Sequence, residues 1–273
     1  MGKKFYESEK FQAVFFPILY FVLAIALVVT GSLIFKKVYY HPVVVDGSSM
    51  LPTLAGGSEL ESGGSITVDG HNVSLKYRYN YGIADLTKAS VNNIKRFDVI
   101  VTHYPKSWGT EEEDYIIKRV WGFPGETLNL TYDGLAKTFT FTASKKGKET
   151  YKIIAPIVEY TKKFEAEYML DGKYHTKEVE SSFPAAKFKL SNKTFYTNTR
   201  VIRQLTNHKL EKNEYFVMGD NWETSTDSWK CRSLQDKLTK SYLQGRVLYI
   251  SAYVSIVNEK PTNFHNIKKR YNF

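Results

Sequence analysis

FQAVFFPILYFVLAIALVVTGSLIF, residues 11–35, is a run of 25 residues without a charged side chain. Gln12 is its only strongly polar member, with Thr30 and Ser32 as mild interruptions. As a helix rising ~1.5 Å per residue it spans about 37 Å, more than the ~30 Å hydrocarbon core of a bilayer. Pro17 falls in the second turn, where a membrane helix tolerates it. A cleaved leader would have an apolar region of roughly 7–15 residues and a small-x-small site after it. Here the run is longer, and FKKVYYHP closes it at residues 35–42. The run therefore reads as a retained anchor, residues 11–35, behind a polar segment, residues 1–10. Lys3, Lys4, Lys10 and the α-amine flank it on one side, and Lys36 and Lys37 on the other. The inside flank is the richer in basic residues, which puts the N-terminus in the cytoplasm and the rest of a single-pass protein outside the cell membrane.

Working outward from the anchor, the composition is that of a folded, strand-rich chain. The 273 residues are 42% hydrophobic and 24% charged, which excludes wholesale disorder. The 20 Tyr and 17 Phe favour strands. The formal charge of +10 would suit anionic lipid or nucleic acid, but the lysines are scattered rather than clustered, so a bilayer is expected as a partner and nucleic acid is not. A single cysteine, Cys231, excludes an intrachain disulfide and Cys-based zinc or iron–sulfur sites. The six histidines show no metal-ligand spacing, and His-Glu-x-x-His is missing. No Gly-rich phosphate loop occurs, so neither a metal nor an organic cofactor is expected.

The remainder divides by pattern. Residues 36–127 read as the first part of a β-rich core, with the Gly- and Asn-rich stretch 55–95 as a local insertion and a hairpin turn at Asp69-Gly70. Residues 128–200 alternate apolar and polar and read as an inserted β-rich subdomain. Residues 201–256 return to the core, and LYISAYVSIV, residues 248–257, is too short for a second span and reads as a buried strand. Residues 257–273 are polar and basic and read as a tail. The fold class is mainly β on one N-terminal membrane helix.

Three stretches hold chemistry-bearing side chains. In DGSSMLPTL, residues 46–54, Ser49 follows a β-branched run in a Gly-Ser turn beside the apolar Met50, Leu51 and Leu54. In YIIKRVWGFPGET, residues 115–127, strand alternation puts Lys118 on the face of Ile116 and Val120 and turns Arg119 the other way. Burial disfavours a charged amine, and a neutral lysine can take a proton from a serine hydroxyl. Bringing the amine from ~10.4 to near 7–8 requires roughly 3.5–5 kcal/mol of differential solvation. In VMGDNWETSTDSW, residues 217–229, Gly219, Asp220 and Asn221 are turn residues, and Ser225, Asp227 and Ser228 could orient a lysine. Singly, these read better as a common turn, a lysine snorkelling at a strand edge, and a polar loop.

In this order, with the anchor, RFDVIV at 96–101 and QGRV at 244–247, the stretches resemble the bacterial type I signal peptidases. The resemblance covers the anchor and most of the core, but not 55–95, nor 128–200 beyond its place as an insertion. It implies a serine–lysine endopeptidase. Ser49 is implied as nucleophile, Lys118 as general base and Ser225 as the group that hydrogen-bonds and orients the lysine. The Ser49 N–H, helped by Gly47, is implied as oxyanion hole. Met50 and Leu51 are expected to line the substrate cleft or meet lipid. Asp227 is expected to brace the site through a basic partner such as Arg119, while Asp220 and Asn221 hold the loop. The implied substrates are secreted preproteins cut after small-x-small sites, with the protein-export machinery as a further partner. The chain departs from the family at Trp222 and Trp229, where arginine is usual; Lys230 or Arg232 are candidates to supply the charge. That departure motivates a second reading, a non-catalytic relative acting in membrane assembly or binding. Relatives of the endoplasmic-reticulum and archaeal kind usually have histidine at the place of Lys118, so the bacterial type fits better.

Overall fold

The computed structural model describes residues 9–60, 64–108 and 115–272, and the chain divides between His41 and Pro42 into two compact units. The first is built on helix α1 (Glu9–Tyr39), which runs through Pro17 and ends on Lys36 and Lys37, cations suited to the negative end of a helix. From Phe11 its mean hydropathy is 2.6, and the apolar span is not buried within the protein. It is the one helix among the described residues long and apolar enough to cross a membrane, a single-pass anchor by length and composition.

The second unit is two seven-stranded antiparallel sheets and a small two-stranded one. In chain order its elements are β1 (Tyr40–Val44), β2 (Ser65–Val68), β3 (His71–Ser74), β4 (Lys76–Tyr77), β5 (Tyr79–Asp85), the short helix α2 (Lys88–Asn92), β6 (Val99–His103) and β7 (Tyr115–Gly122). There follow β8 (Thr127–Asp133), β9 (Thr138–Lys145), β10 (Lys148–Leu170), β11 (Lys173–Leu190), β12 (Lys193–Asn198), β13 (Leu205–Lys209), β14 (Phe216–Met218), β15 (Leu243–Val257) and β16 (Lys260–Asn272). The first sheet runs β1-β5-β15-β6-β7-β14, with β16 also on β15; the second runs β12-β11-β10-β9-β8-β13, with β4 on β10. An aromatic core joins them. Trp121 of β7, Met218 of β14 and Phe97 and Trp222 from loops pack against Phe139, Phe141 and Phe188 of the second sheet. Alternation on β7 does this work, since Val120 packs instead with Ile100 and Val217 in a separate cluster.

Three expectations about organisation need correction. Residues 55–95 are not all a local insertion: β2 and β3 form the small hairpin turned at Asp69-Gly70, but β5 is an inner strand of the first sheet. Residues 128–200 supply most of the second sheet without closing it, because β13 and β4 come from outside that range. Residues 257–273 are not a tail. Asn258 and Glu259 take the positive φ values of a tight hairpin turn, and β16 pairs back along β15. Its polar, basic composition is that of a largely exposed strand, which composition alone does not separate from a tail.

Candidate active site

The segment after β1 is drawn into a loop by one buried side chain. Asn80 of β5 accepts the Val45 N–H at its carbonyl and the Ala55 N–H at its Oδ1, so both ends of the 45–55 loop are tied to one residue. Gly47, at φ 78°, makes the turn between them. Within the loop the Leu51 N–H donates to Ser48 and the Leu54 N–H to Met50. Ser49 sits in this turn. Among the described residues its N–H meets no acceptor, while the Gly47 N–H is committed to the Gly56 carbonyl (2.7 Å) and to Asp46 Oδ1 (2.8 Å). The expected help from Gly47 as an oxyanion donor is thereby corrected: its hydrogen closes the loop.

Lys118 Nζ lies 2.8 Å from Ser49 Oγ. The lysine is only 2% exposed, and burial lowers its amine to about 8. Asp227 and Asp220 pull the other way and Arg203 assists the lowering. Both residues open into a groove of about 450 Å³ between segments 44–50 and 115–118, with Tyr104, Thr224 and Thr226 along it. Met50 lines the groove. Leu51 does not: it is fully buried with Phe164 and Phe183, facing neither cleft nor solvent, because the turn sends consecutive side chains to opposite sides.

The loop after β14 closes against this turn. The Asn221 N–H donates to the Ser49 carbonyl (2.9 Å) and its Nδ2 to the Ser48 carbonyl (3.2 Å). At Gly219 a Cβ would stand 2.3 Å from both Ser49 O and Ser225 Oγ, so only glycine fits between the two serines. Ser225 Oγ accepts from the Gly219 N–H (3.2 Å) and makes no hydrogen bond to Lys118 among the described residues. The direct orienting bond expected of Ser225 is replaced by a grip on the main chain beside it.

Two buried ion pairs hold the loop. Arg119 spans both oxygens of Asp220 and donates from Nη1 to the Phe97 carbonyl. Asp220 also accepts from Thr53 Oγ1, which links the pair to the Ser49 turn. Asp227 is braced by Arg203, not by Arg119: Nη1 lies 2.7 and 2.8 Å from its two oxygens. Arg203 further donates to the carbonyls of Trp222 and Ser225 (2.9 Å each) and lies 4.7 Å over the Trp229 ring. It supplies the charge expected of Lys230 or Arg232; Arg232 instead covers Trp229 from 4.6 Å. Trp222 is 1% exposed, edge-on to Phe139 and Trp121. Both tryptophans have packing partners in the structure, while Trp222 Nε1 is buried without a hydrogen-bond partner among the described residues. Sequence reasoning missed Asn80, Thr53 and Arg203. Only the buried-strand pattern around Asn80 offered a signal.

The family model of signal peptidases, peptidase S26, matches residues 17–250. The chain is 24% identical over 258 residues to a signal peptidase I of Buchnera aphidicola subsp. Baizongia pistaciae (strain Bp), across 83% of this chain and 73% of that one. It is 26% identical over 222 residues to signal peptidase I P of Bacillus subtilis subsp. natto, across 81% and 82%. A signal peptidase I of Bacillus licheniformis is 25% identical over 216 residues, across 79% and 80%.

Proposed function

The chain belongs to the signal peptidase family, peptidase S26, and from that membership we propose that it removes signal peptides with Ser49 as nucleophile and Lys118 as general base. The observation that carries the assignment is the 2.8 Å approach of a buried lysine amine to a serine hydroxyl inside a groove. A neutral Lys118 takes the Ser49 proton as Oγ bonds to the scissile carbonyl carbon. The oxyanion forms beside the Ser49 N–H, which has no other acceptor among the described residues. As the C–N bond breaks, the lysine returns the proton to the leaving amine. Water, deprotonated by the same amine, then attacks the acyl-enzyme and releases Ser49.

The substrate is the preprotein segment that ends its signal peptide. Val44, Val45, Met50 and Ile117 give the groove apolar walls, which are compatible with the short apolar side chains of an Ala-x-Ala site. Asp220, Asn221 and Asp227 act by holding the loop, and Ser225 acts on the Ser49 turn through Gly219. On this reading α1 anchors the enzyme in the cell membrane, N-terminus inside, so that the catalytic unit meets preproteins leaving the export machinery.

The test is cleavage of a purified preprotein with an Ala-x-Ala site by detergent-solubilised protein. Wild type cuts at the junction, while folded Ser49→Ala and Lys118→Ala do not. Retained cleavage in either variant would sink the pair.

A further inference from the structure

The second sheet meets the Ser49 turn through Leu51, packed with Phe164 and Phe183, through the Tyr196 carbonyl, 3.5 Å from Thr53 Oγ1, and through a buried amine. Lys162 of β10 donates from Nζ to the carbonyl oxygens of Pro52 (2.8 Å) and Thr53 (3.1 Å) and lies 4.8 Å over the Phe164 ring. The residue as a whole is half-buried, and the amine is its enclosed end. Burial lowers that amine to about 8, against the opposing pull of Asp220.

The position of this contact matters more than its strength. Pro52 and Thr53 continue the turn that carries Ser49, and the Leu51 and Leu54 N–H bonds to Ser48 and Met50 make that turn a stiff unit. Its other polar fastenings include Asn221 on the Ser49 carbonyl and Asp220 on the Thr53 hydroxyl, from the loop after β14, and Asn80 at the Ala55 end. Lys162 is a fastening from the second sheet that holds two main-chain carbonyls of the turn at once. Two carbonyl oxygens converge on it, and an ammonium with three donors can serve both where an apolar side chain serves neither. The sheet itself does not need the amine, since β10 is paired along its length with β9 and β11 and Phe164 and Phe183 fill the core beneath. An enclosed amine is kept at a solvation penalty where a methionine would pack.

We propose that Lys162 is a positioning residue for the peptidase reaction, clamping the Pro52 and Thr53 carbonyls so that Ser49 Oγ stays within reach of Lys118. The inference rests on the serine–lysine reading above. A misplacement of about 1 Å at the reacting atoms is enough to slow catalysis roughly a hundredfold.

The experiment compares full-length wild type, Lys162→Met, Lys162→Arg and Ser49→Ala in detergent on one preprotein with an Ala-x-Ala site, measuring kcat, KM and thermal midpoint. Lys162→Met lowers kcat roughly 10- to 100-fold while KM stays within about twofold, because the groove is untouched. Lys162→Arg, which keeps charge and donors, regains most of the loss. A Lys162→Met protein with wild-type kcat per folded molecule overturns the proposal, as does a loss that Lys162→Arg fails to repair. If Lys162→Met does not fold, Lys162→Gln takes its place; failure of all three to fold assigns the lysine to the fold and also overturns it. Wild-type cleavage that Ser49→Ala abolishes secures the catalytic reading independently. A wild type that cuts nothing, or an active Ser49→Ala, removes that reading and this one together.

Discussion

Arg203 grips both carboxylate oxygens of Asp227, at 2.7 and 2.8 Å, with the two side chains 2% and 0% exposed. Asp227 turns its second oxygen to the Gly219 N–H, and Gly219 separates Ser49 from Ser225. A pair of charges outside the groove thus fixes the main chain against which the Ser49 turn rests. The arginine comes from the segment after β12, not from the motif that contains Asp227, and this frees positions 222 and 229 to be tryptophan.

Removing Arg203 leaves Asp227 buried and without its counter-ion. Arg203→Met is expected to destabilise the protein by about 3–5 kcal/mol, read from urea unfolding. It also moves the pH–rate profile. Arg203 lowers the Lys118 amine while Asp227 raises it, so without the arginine the ascending limb shifts above pH 8. A variant of unchanged stability and unchanged limb would show that the pair does neither job.

On the proposed mechanism Lys118 sets the limb itself. Cleavage should rise with pH through about 8 as the amine loses its proton; control near 6.5 would point to a histidine instead. The same burial has a stability consequence. The folded value lies below the unfolded ~10.4, so the penalty for enclosing a charged lysine is complete below pH 8 and fades as pH rises toward 10.4. Lys118→Met should therefore be inactive yet more stable than wild type at pH 7 by up to about 3 kcal/mol, with the gap closing by pH 10. Equal unfolding curves across that range would contradict the burial argument.

The parts of this site that were legible in the sequence are those written in local pattern. Ile116, Lys118 and Val120 share a strand face by alternation, and the same rule turns Arg119 to the opposite side, where it meets Asp220. Ser49 was legible because a glycine turn and an apolar run surround it. The parts that stayed hidden depend on pairing across the fold. Arg203 looks like any arginine in a polar stretch until it meets Asp227, 24 residues on. Lys162 stands in a run of lysine and glutamate, and only the register of β10 against the second sheet directs it at Pro52. Leu51 was misread because a tight turn, unlike a strand, gives no period from which to assign faces. For β16, exposure of the consecutive residues 263–266 leaves no alternating hydrophobic signal to mark a strand.

Gly219 offers a test with an internal control. A methyl group there would sit 2.3 Å from Ser225 Oγ and from the Ser49 carbonyl oxygen. Gly219→Ala should abolish cleavage, because the Ser49 turn must move away. Ser225→Ala alone should give only a partial loss, since it removes an acceptor for the Gly219 N–H while Asp227 still holds that group. The double variant relieves the contact with the hydroxyl but not the one with the backbone. Its activity should stay at the Gly219→Ala level; recovery to the Ser225→Ala level would mean that the Ser49 turn is not what the glycine protects.

The direction of the anchor follows from a small difference in charge and can be tested by changing it. Lys3, Lys4 and Lys10 precede the apolar run and Lys36 and Lys37 follow it, so the N-terminal flank is the richer. Protease added to right-side-out vesicles should digest the unit after His41 and spare an N-terminal epitope tag. Replacing Lys3, Lys4 and Lys10 by glutamine makes the other flank the richer one. The fraction of chains with a protected catalytic unit should then rise, and cleavage of exported preproteins should fall in proportion. Full protection of the unit in the wild type would reverse the orientation. It would also separate the catalytic groove from any preprotein site presented on the outer face.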